Sequence, residues 1–192
     1  MTVPNALTLL RILAIPFFAI AVWYGHLWHA LVLFVAAGLT DLLDGWIARA
    51  FNQRSRLGAI LDPAADKLLM TTAFILMALP KDHLRLPIPA WVAILAISRD
   101  VVISLVALVA WVKDEHLDQR PSLLGKVTTG AEIVALGAGL LVNALGPVPW
   151  QGFVIPWVYY AMAAFVLASG IHYYHRTSKD IHEHQGGAGG RP

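Results

Sequence analysis

Four aspartates lie close together in an apolar part of the chain, within the stretch TDLLDGWIARAFNQRSRLGAILDPAADK at residues 40–67. Asp41 and Asp44 are three residues apart, and Asp62 and Asp66 are four apart, so each pair shares one face of a helix. An ionised side chain at the centre of a bilayer costs roughly 2.5–3.5 kcal/mol on insertion scales. Acids in this setting therefore need partners or ligands that offset the cost.

The two pairs are separated by a short polar segment, which lets their helices run antiparallel and bring the four carboxylates together. Carboxylates gathered in a low dielectric repel each other unless they are protonated or bind cations. All-oxygen ligands suit Mg²⁺, Mn²⁺ or Ca²⁺, and two such ions form a clamp for phosphoryl transfer. The structural alternative for a single pair is a helix cap or an ion pair with arginine. For both pairs together, the metal site is the favoured interpretation.

Small and cationic residues surround the acids. Three positions leave room for a substrate near the helix backbone, and these are Gly45, Ala48 and Gly58. Four can donate to phosphate oxygens, and these are Arg49, Arg54, Ser55 and Arg56. The residue types favour a metal-bound pyrophosphate as the ligand.

The composition indicates an integral membrane protein with one compact domain. Of 192 residues, 58% are hydrophobic and 14% charged, against about 25% charged in soluble domains. The net charge of +2 is too small to argue for a nucleic-acid partner. There is no cysteine, which excludes thiol chemistry and thiolate metal sites.

The elements that position the acids are six predicted membrane-spanning helices, giving an all-α fold. We place them at residues 7–23, 30–50, 57–79, 88–112, 123–145 and 153–174. Each has about 20 residues, which matches a hydrocarbon core of about 30 Å. The predicted domains are a six-helix catalytic domain at 1–175 and a polar, disordered tail at 176–192.

Lysine and arginine near the span ends predict the orientation of the chain in the membrane. Most of them collect on the side that also carries the aspartates, whereas the other side has only Lys81 and Arg85. The rich side is expected to be cytoplasmic. Both termini and the active site would then face the cytoplasm from the inner membrane.

The spacing of the acids also resembles a known family. Asp41-Leu-Leu-Asp44-Gly45-Trp-Ile-Ala48-Arg49, followed after eight residues by Gly58-Ala-Ile-Leu-Asp62-Pro-Ala-Ala-Asp66, is similar to the complete CDP-alcohol phosphotransferase signature. The resemblance implies an enzyme that takes CDP-diacylglycerol and an alcohol and releases CMP. It implies two divalent cations, Mg²⁺ or Mn²⁺, on the four aspartates, with Asp66 also acting as catalytic base. The family further suggests a homodimer.

The same resemblance implies which residues bind CDP-diacylglycerol. Five belong to the signature region, and these are Gly45, Ala48, Arg49, Ser55 and Gly58. The opening stretch PNALTLLRI resembles the N-terminus of the phosphatidylglycerophosphate synthase branch, which would place Asn5, Thr8 and Arg11 near the nucleotide.

The acceptor expected from that branch is sn-glycerol 3-phosphate. Its dianionic phosphate needs cations, and the candidates are Arg99, Arg120 and Lys126. One departure is Glu132, which stands where the branch has glutamine. AISRDVVIS and RPSLLGKVTT also resemble the CMP-forming cardiolipin synthases, which is the alternative within this chemistry.

Arg99 has a second interpretation, since a charge within an apolar run is either functional or paired. Its neighbour Asp100 is expected to point to another side of the helix and not to pair with it. An acid on another span, such as Glu132, would then be the partner.

A small cation transporter is the rival from another class. Its acids would lie near the bilayer midplane, often on broken helices. Here they crowd one end beside Arg49 and Arg54, which repel cations. A non-catalytic scaffold would have no use for four converging carboxylates.

Overall fold

The computed structural model describes residues 3–50, 56–112, 123–147 and 149–188. Side chains lie outside that description at residues 3–5, 44–50, 56, 57, 59, 60, 107, 108, 110–112 and 174–188. The regular structure of the described ranges is helical. The helices are α1 (Val3–Trp23), α2 (Leu27–Ala50), α3 (Arg56–Ala78), α4 (Ala90–Val112), α5 (Leu123–Leu145) and α6 (Gln151–Ala188).

The six helices follow the six apolar runs of the sequence. The bounds of α5 are those predicted, and most other ends differ by a few residues. The largest difference is at α6, which continues to Ala188. Residues 176–188, for which the sequence predicts disorder, therefore have helical backbone.

The distribution of polarity is inverted relative to a soluble protein. Arg11 and Glu132 are 2% and 1% exposed, and Asp100 is also buried. Large apolar side chains such as Leu13, Phe17 and Trp157 point outward, each more than half exposed. Charges inside and apolar groups outside are expected where the solvent is lipid. Together with the composition, this arrangement indicates a helical membrane protein.

Three stretches of the described helices are long and apolar enough to cross a bilayer. They are Ala6–Trp23, Leu123–Leu145 and Gln151–Tyr173. A shorter apolar stretch, Leu27–Leu43, lies in α2. The helices α3 and α4 are interrupted by charged residues, and those residues belong to the site described below.

Helix α3 is the element that joins the two sides of the bundle. It packs against α1 and also against α4 and α5. The apolar core between the helices includes the rings of Phe18 and Phe34, whose centroids are 6.2 Å apart. Polar residues carried by α3 can therefore face two different sets of neighbours.

Helices α5 and α6 pack closely where α5 has a glycine. A β-carbon added at Gly139 would lie 2.6 Å from the hydroxyl oxygen of Tyr159. This hydroxyl is buried and has no hydrogen-bond partner among the described residues. Gly139 therefore makes room for a tyrosine that would otherwise collide with the α5 backbone region.

Candidate active site

One group of polar residues is centred on a buried arginine of α1. The Arg11 side chain is 0% exposed, and its Nη1 lies 2.8 Å from Asp66 Oδ1 and 3.0 Å from Asp41 Oδ1. The guanidinium thus joins carboxylates from α2 and α3 at a single nitrogen. Because an unpaired buried guanidinium is costly, these contacts hold the three helices together at this level.

A second contact one turn away keeps α1 and α3 in register. The hydroxyl of Thr8 donates to Oδ1 of Asp62. Thr8 and Arg11 are three residues apart on α1, and Asp62 and Asp66 are four apart on α3, so two neighbouring turns match. We call these five residues, Thr8, Arg11, Asp41, Asp62 and Asp66, the Arg11 cluster.

The acids of the Arg11 cluster remain accessible although its arginine is not. The side chains of Asp41 and Asp66 are 40% and 45% exposed. An external cation can therefore reach both carboxylates. The arginine instead approaches them from inside the bundle.

The donor set suits a hard divalent cation. Asp41, Asp62 and Asp66 offer carboxylate oxygens only, which Mg²⁺ and Mn²⁺ prefer. In the described part of the chain, however, no three acid or histidine side chains lie close enough to hold a metal together. The side chain of Asp44, the fourth predicted ligand, lies outside the described residues. The donor chemistry fits a divalent ion, whereas the described acids do not by themselves form a closed metal site.

A second group of polar residues lies on another face of α3. Oδ2 of Asp100 is 2.5 Å from Nζ of Lys67, and its Oδ1 accepts a hydrogen bond of 2.7 Å from Nη1 of Arg99. Nη2 of Arg99 donates to Oγ of Ser169 at 3.0 Å. The Asp100 carboxylate thus connects α4 with α3, and the Arg99 guanidinium connects α4 with α6.

Glu132 of α5 completes this second group. It interacts electrostatically with Asp100, Arg99 and Lys67. Its Oε1 and the Nε of Arg99 are buried, and neither has a hydrogen-bond partner among the described residues. We call Lys67, Arg99, Asp100, Glu132 and Ser169 the Asp100 cluster.

The prediction that Arg99 and Asp100 do not pair is wrong. Consecutive residues point about 100° apart on a helix, but the long arginine side chain folds back and reaches the carboxylate of its neighbour. Glu132, the acid expected to pair with Arg99, lies near it, but no hydrogen bond joins the two side chains. The arginine is therefore paired within its own helix.

Lys67 is a member of the site that the sequence reasoning missed. The signal was present, because a lysine that directly follows Asp66 in an apolar helix is itself an unexplained charge. Arg11 was expected near the nucleotide, and its contacts with Asp41 and Asp66 were not foreseen.

The structure describes the remaining predicted site residues to different extents. Gly58 is buried on α3, and Lys126 is exposed near the start of α5. For five predicted residues the backbone lies in a helix, but the side chain is outside the description. These residues are Asn5, Asp44, Gly45, Ala48 and Arg49. Ser55 and Arg120 lie outside the described residues.

The structure is that of a helical membrane protein in which carboxylates from two neighbouring helices meet at one level. These carboxylates belong to the signature at residues 41–66. The CDP-alcohol phosphatidyltransferase family profile matches residues 1–169, and the chain belongs to this family.

Individual relatives are similar along most of the chain, and several bear the name CDP-diacylglycerol--glycerol-3-phosphate 3-phosphatidyltransferase. The protein of Escherichia coli (strain K12) is 34% identical over 189 residues, covering 93% of this chain and 96% of its own. That of Shigella flexneri serotype 5b (strain 8401) is 35% identical over 189 residues, with the same 93% and 96% coverage. That of Salmonella paratyphi A (strain ATCC 9150 / SARB42) is 37% identical over 178 residues, covering 87% of this chain and 86% of its own.

Proposed function

We propose that this protein transfers the phosphatidyl group of CDP-diacylglycerol to sn-glycerol 3-phosphate, giving phosphatidylglycerophosphate and CMP. The observation that carries the proposal is the convergence of Asp41 and Asp66 on Arg11, with Asp62 held one turn away by Thr8. These acids belong to the family signature. The names of the relatives support glycerol 3-phosphate as the acceptor.

Two divalent cations, Mg²⁺ or Mn²⁺, would be held by the four aspartates, Asp41, Asp44, Asp62 and Asp66. When bound, such ions neutralise the charge of the pyrophosphate and of the departing CMP. The exposure of Asp41 and Asp66 supports access from outside the bundle.

Asp66 would act as the general base. It takes the proton from the primary hydroxyl of the acceptor, and that oxygen forms a bond to the phosphorus carrying diacylglycerol. The bond from this phosphorus to the oxygen of CMP breaks, and CMP departs with the electron pair. Arg11, 2.8 Å from Asp66 Oδ1, holds this carboxylate in position from behind.

The CDP moiety would bind along the signature helices. Its predicted contacts are Asn5, Thr8, Gly45, Ala48, Arg49, Ser55 and Gly58. The burial of Gly58 and of Thr8 beside Asp62 supports a close approach of helix backbones at this level.

The phosphate of the acceptor would bind to cations on the opposite side of α3. Arg99, Arg120 and Lys126 are the predicted ones, and the position of Lys67 beside Asp66 adds a fourth. The side chain of Lys67 is 37% exposed, which leaves its ammonium accessible although Asp100 is its partner.

The placement in the cell completes the proposal. All six helices would span the inner membrane, with both termini and the active site facing the cytoplasm. Residues 1–175 would form the catalytic domain, residues 176–192 would form a polar C-terminal extension of it, and the protein would act as a homodimer among membrane lipids.

The test uses purified protein in detergent–lipid micelles with radiolabelled CDP-diacylglycerol, Mg²⁺ and separate alcohols. We expect glycerol 3-phosphate to yield labelled phosphatidylglycerophosphate with stoichiometric CMP, and EDTA to stop both. Cardiolipin formed from phosphatidylglycerol, with no product from glycerol 3-phosphate, would contradict the acceptor. Failure of every alcohol to release CMP would contradict the chemistry.

A further inference from the structure

The ammonium of Lys67 is the accessible end of a chain of polar contacts that begins in α6. Nη2 of Arg99 donates to Oγ of Ser169 at 3.0 Å, and Nη1 of Arg99 donates to Oδ1 of Asp100 at 2.7 Å. Oδ2 of Asp100 lies 2.5 Å from Nζ of Lys67. The side chains of Asp100 and Arg99 are 11% and 9% exposed, whereas that of Lys67 is 37% exposed. The chain of contacts therefore runs from the interior of the bundle to a charge that a ligand can reach.

Each oxygen of the Asp100 carboxylate has its own cationic partner. Oδ1 is bound by Arg99, whose guanidinium is held in turn by Ser169, and Oδ2 is bound by Lys67. Contacts between ionised groups are stronger than neutral hydrogen bonds, and a guanidinium has fixed donor directions. Rotation of the carboxylate away from Lys67 would therefore also break its contact with Arg99.

The ammonium of Lys67 keeps donors for a further partner. A lysine ammonium carries three N–H donors, and Oδ2 of Asp100 accepts one of them, which leaves two. Phosphate oxygens accept such donors. Lys67 directly follows Asp66 in α3, so this cation is carried by the residue next to the proposed base.

We propose that Asp100 is a positioning residue for the acceptor, because it orders the ammonium of Lys67 before the phosphate of glycerol 3-phosphate binds there. This inference rests on the proposed function. A lysine side chain has a flexible four-carbon stem and loses conformational freedom when it binds a ligand. Here the side chain is ordered without the acceptor, so binding of the phosphate is not weakened by that loss.

The direction of the effect distinguishes this role from simple electrostatics. A carboxylate beside a phosphate site repels the phosphate, so removal of its charge alone should tighten binding of the acceptor. Loss of order in the Lys67 side chain should weaken that binding. The KM for glycerol 3-phosphate therefore moves in opposite directions under the two explanations.

The experiment measures steady-state kinetics of the purified protein in detergent–lipid micelles with CDP-diacylglycerol, Mg²⁺ and varied glycerol 3-phosphate. Asp100→Asn keeps the shape of the side chain and removes its charge. It should raise the KM for glycerol 3-phosphate by about threefold to tenfold, as expected when one long side chain loses its order. The kcat and the KM for CDP-diacylglycerol should stay near the wild-type values.

Ser104→Ala is the matched control. Ser104 lies one turn further along α4 and donates to the backbone oxygen of Asp100, not to its carboxylate, so this variant should keep the wild-type KM. In a Lys67→Gln background, Asp100→Asn should add little to the KM for glycerol 3-phosphate, because its effect acts through the lysine. An equal increase in both backgrounds would indicate a structural role and would overturn the inference. An unchanged or lower KM in Asp100→Asn alone would overturn it too.

Ser169→Ala decides the question if Asp100→Asn does not fold. It removes the contact that holds Arg99 from α6 and leaves every charge in place. We expect a smaller rise in the KM for glycerol 3-phosphate, about twofold, and an unchanged KM would then overturn the inference. If the wild-type protein releases no CMP with glycerol 3-phosphate, the proposed function fails and the inference fails with it, whereas the other outcomes leave the proposed function intact.

Discussion

The Arg11 cluster and the Asp100 cluster each place one buried charge between two side chains of the opposite sign, and the signs are reversed between them. In the first, an arginine lies between the carboxylates of Asp41 and Asp66. In the second, the carboxylate of Asp100 lies between the cations of Lys67 and Arg99. Each central charge is buried and each has partners of the opposite sign, so both arrangements are tolerated inside a membrane protein.

The difference is in the charge that each cluster leaves accessible. The Arg11 cluster hides its arginine and leaves its acids 40% and 45% exposed, whereas the Asp100 cluster hides its acid and leaves Lys67 37% exposed. In the proposed function, metal ions bind at the accessible acids of the first cluster and the acceptor phosphate binds near Lys67 of the second. Burying the central charge thus leaves accessible charges of opposite sign on two faces of α3, and the proposed function assigns one substrate to each.

Removing the exposed acid next to the reacting centre should have the greatest consequence for turnover. Asp66→Asn should reduce CMP release by about a thousandfold or more, since general base catalysis alone contributes roughly 10²–10⁴. The variant should stay folded in detergent with a modestly lower melting temperature, because the asparagine oxygen can still accept from Arg11 and Asp41 still pairs with it. Asp82→Asn, at an exposed position beyond the other end of α3, is the control. Wild-type turnover by Asp66→Asn would show that another group takes the proton.

Removing the central arginine tests whether the Arg11 cluster is a cation-binding arrangement. Arg11→Met leaves Asp41 and Asp66 without their shared partner, which should cost about 2 kcal/mol of stability. This is less than the ~3–5 kcal/mol of a fully buried pair, because the acids are partly exposed. Thermal unfolding should show that Mg²⁺ restores part of the loss.

Thr8→Val is the matched variant for that experiment. It removes one neutral hydrogen bond to Asp62, which is worth about 1 kcal/mol, and its loss should not respond specifically to Mg²⁺. The same response to Mg²⁺ in both variants would argue that the ion does not bind between Asp41 and Asp66.

Removing the exposed cation tests the Asp100 cluster in the same way. Lys67→Gln should raise the KM for glycerol 3-phosphate about tenfold, equivalent to about 1.4 kcal/mol, and leave the KM for CDP-diacylglycerol unchanged. Lys81→Gln, in the α3–α4 connection at the other end of the bundle, should change neither constant. Equal increases of both KM values would mean that the clusters do not separate the two substrates.

Activity should respond least to a packing change that touches neither cluster. Gly139→Ala should destabilise the protein by about 1–3 kcal/mol because the new methyl group meets the Tyr159 hydroxyl. Tyr159→Phe should relieve most of that loss, since the remaining ring carbon would lie 3.7 Å away. Gly130→Ala, with no atom within 4 Å of the added carbon, is the control. Additive effects of Gly139→Ala and Tyr159→Phe in thermal unfolding would contradict the proposed collision.

The sequence predicted the helical architecture well because membrane helices are specified by length and hydropathy. The bounds of α5 coincide with the predicted run, and acids of α2 and α3 were expected to meet because a short polar connection joins their helices. The tail differed, because a polar composition does not by itself prevent a helix that begins in an apolar segment from continuing to Ala188.

Side-chain partners were predicted less well than helices. Helical spacing gives the direction of a β-carbon, whereas the reach of arginine and lysine lets them bind acids in other directions, as Arg99 does with Asp100. The contact between Arg11 and Asp66 joins residues far apart in the chain, so no local sequence pattern predicts it. The metal ligands and the substrate contacts stay predictions.

Helix α3 carries Asp66 and Lys67 as consecutive residues. Asp66 belongs to the Arg11 cluster and Lys67 to the Asp100 cluster. The helix fixes the angle between the two Cα–Cβ bonds, so a rotation of α3 displaces both side chains by the same angle. In the proposed function, deprotonation of the acceptor at Asp66 and binding of its phosphate near Lys67 therefore depend on the same helix rotation, and a single-residue insertion after Asp66 would change the angle between the two groups.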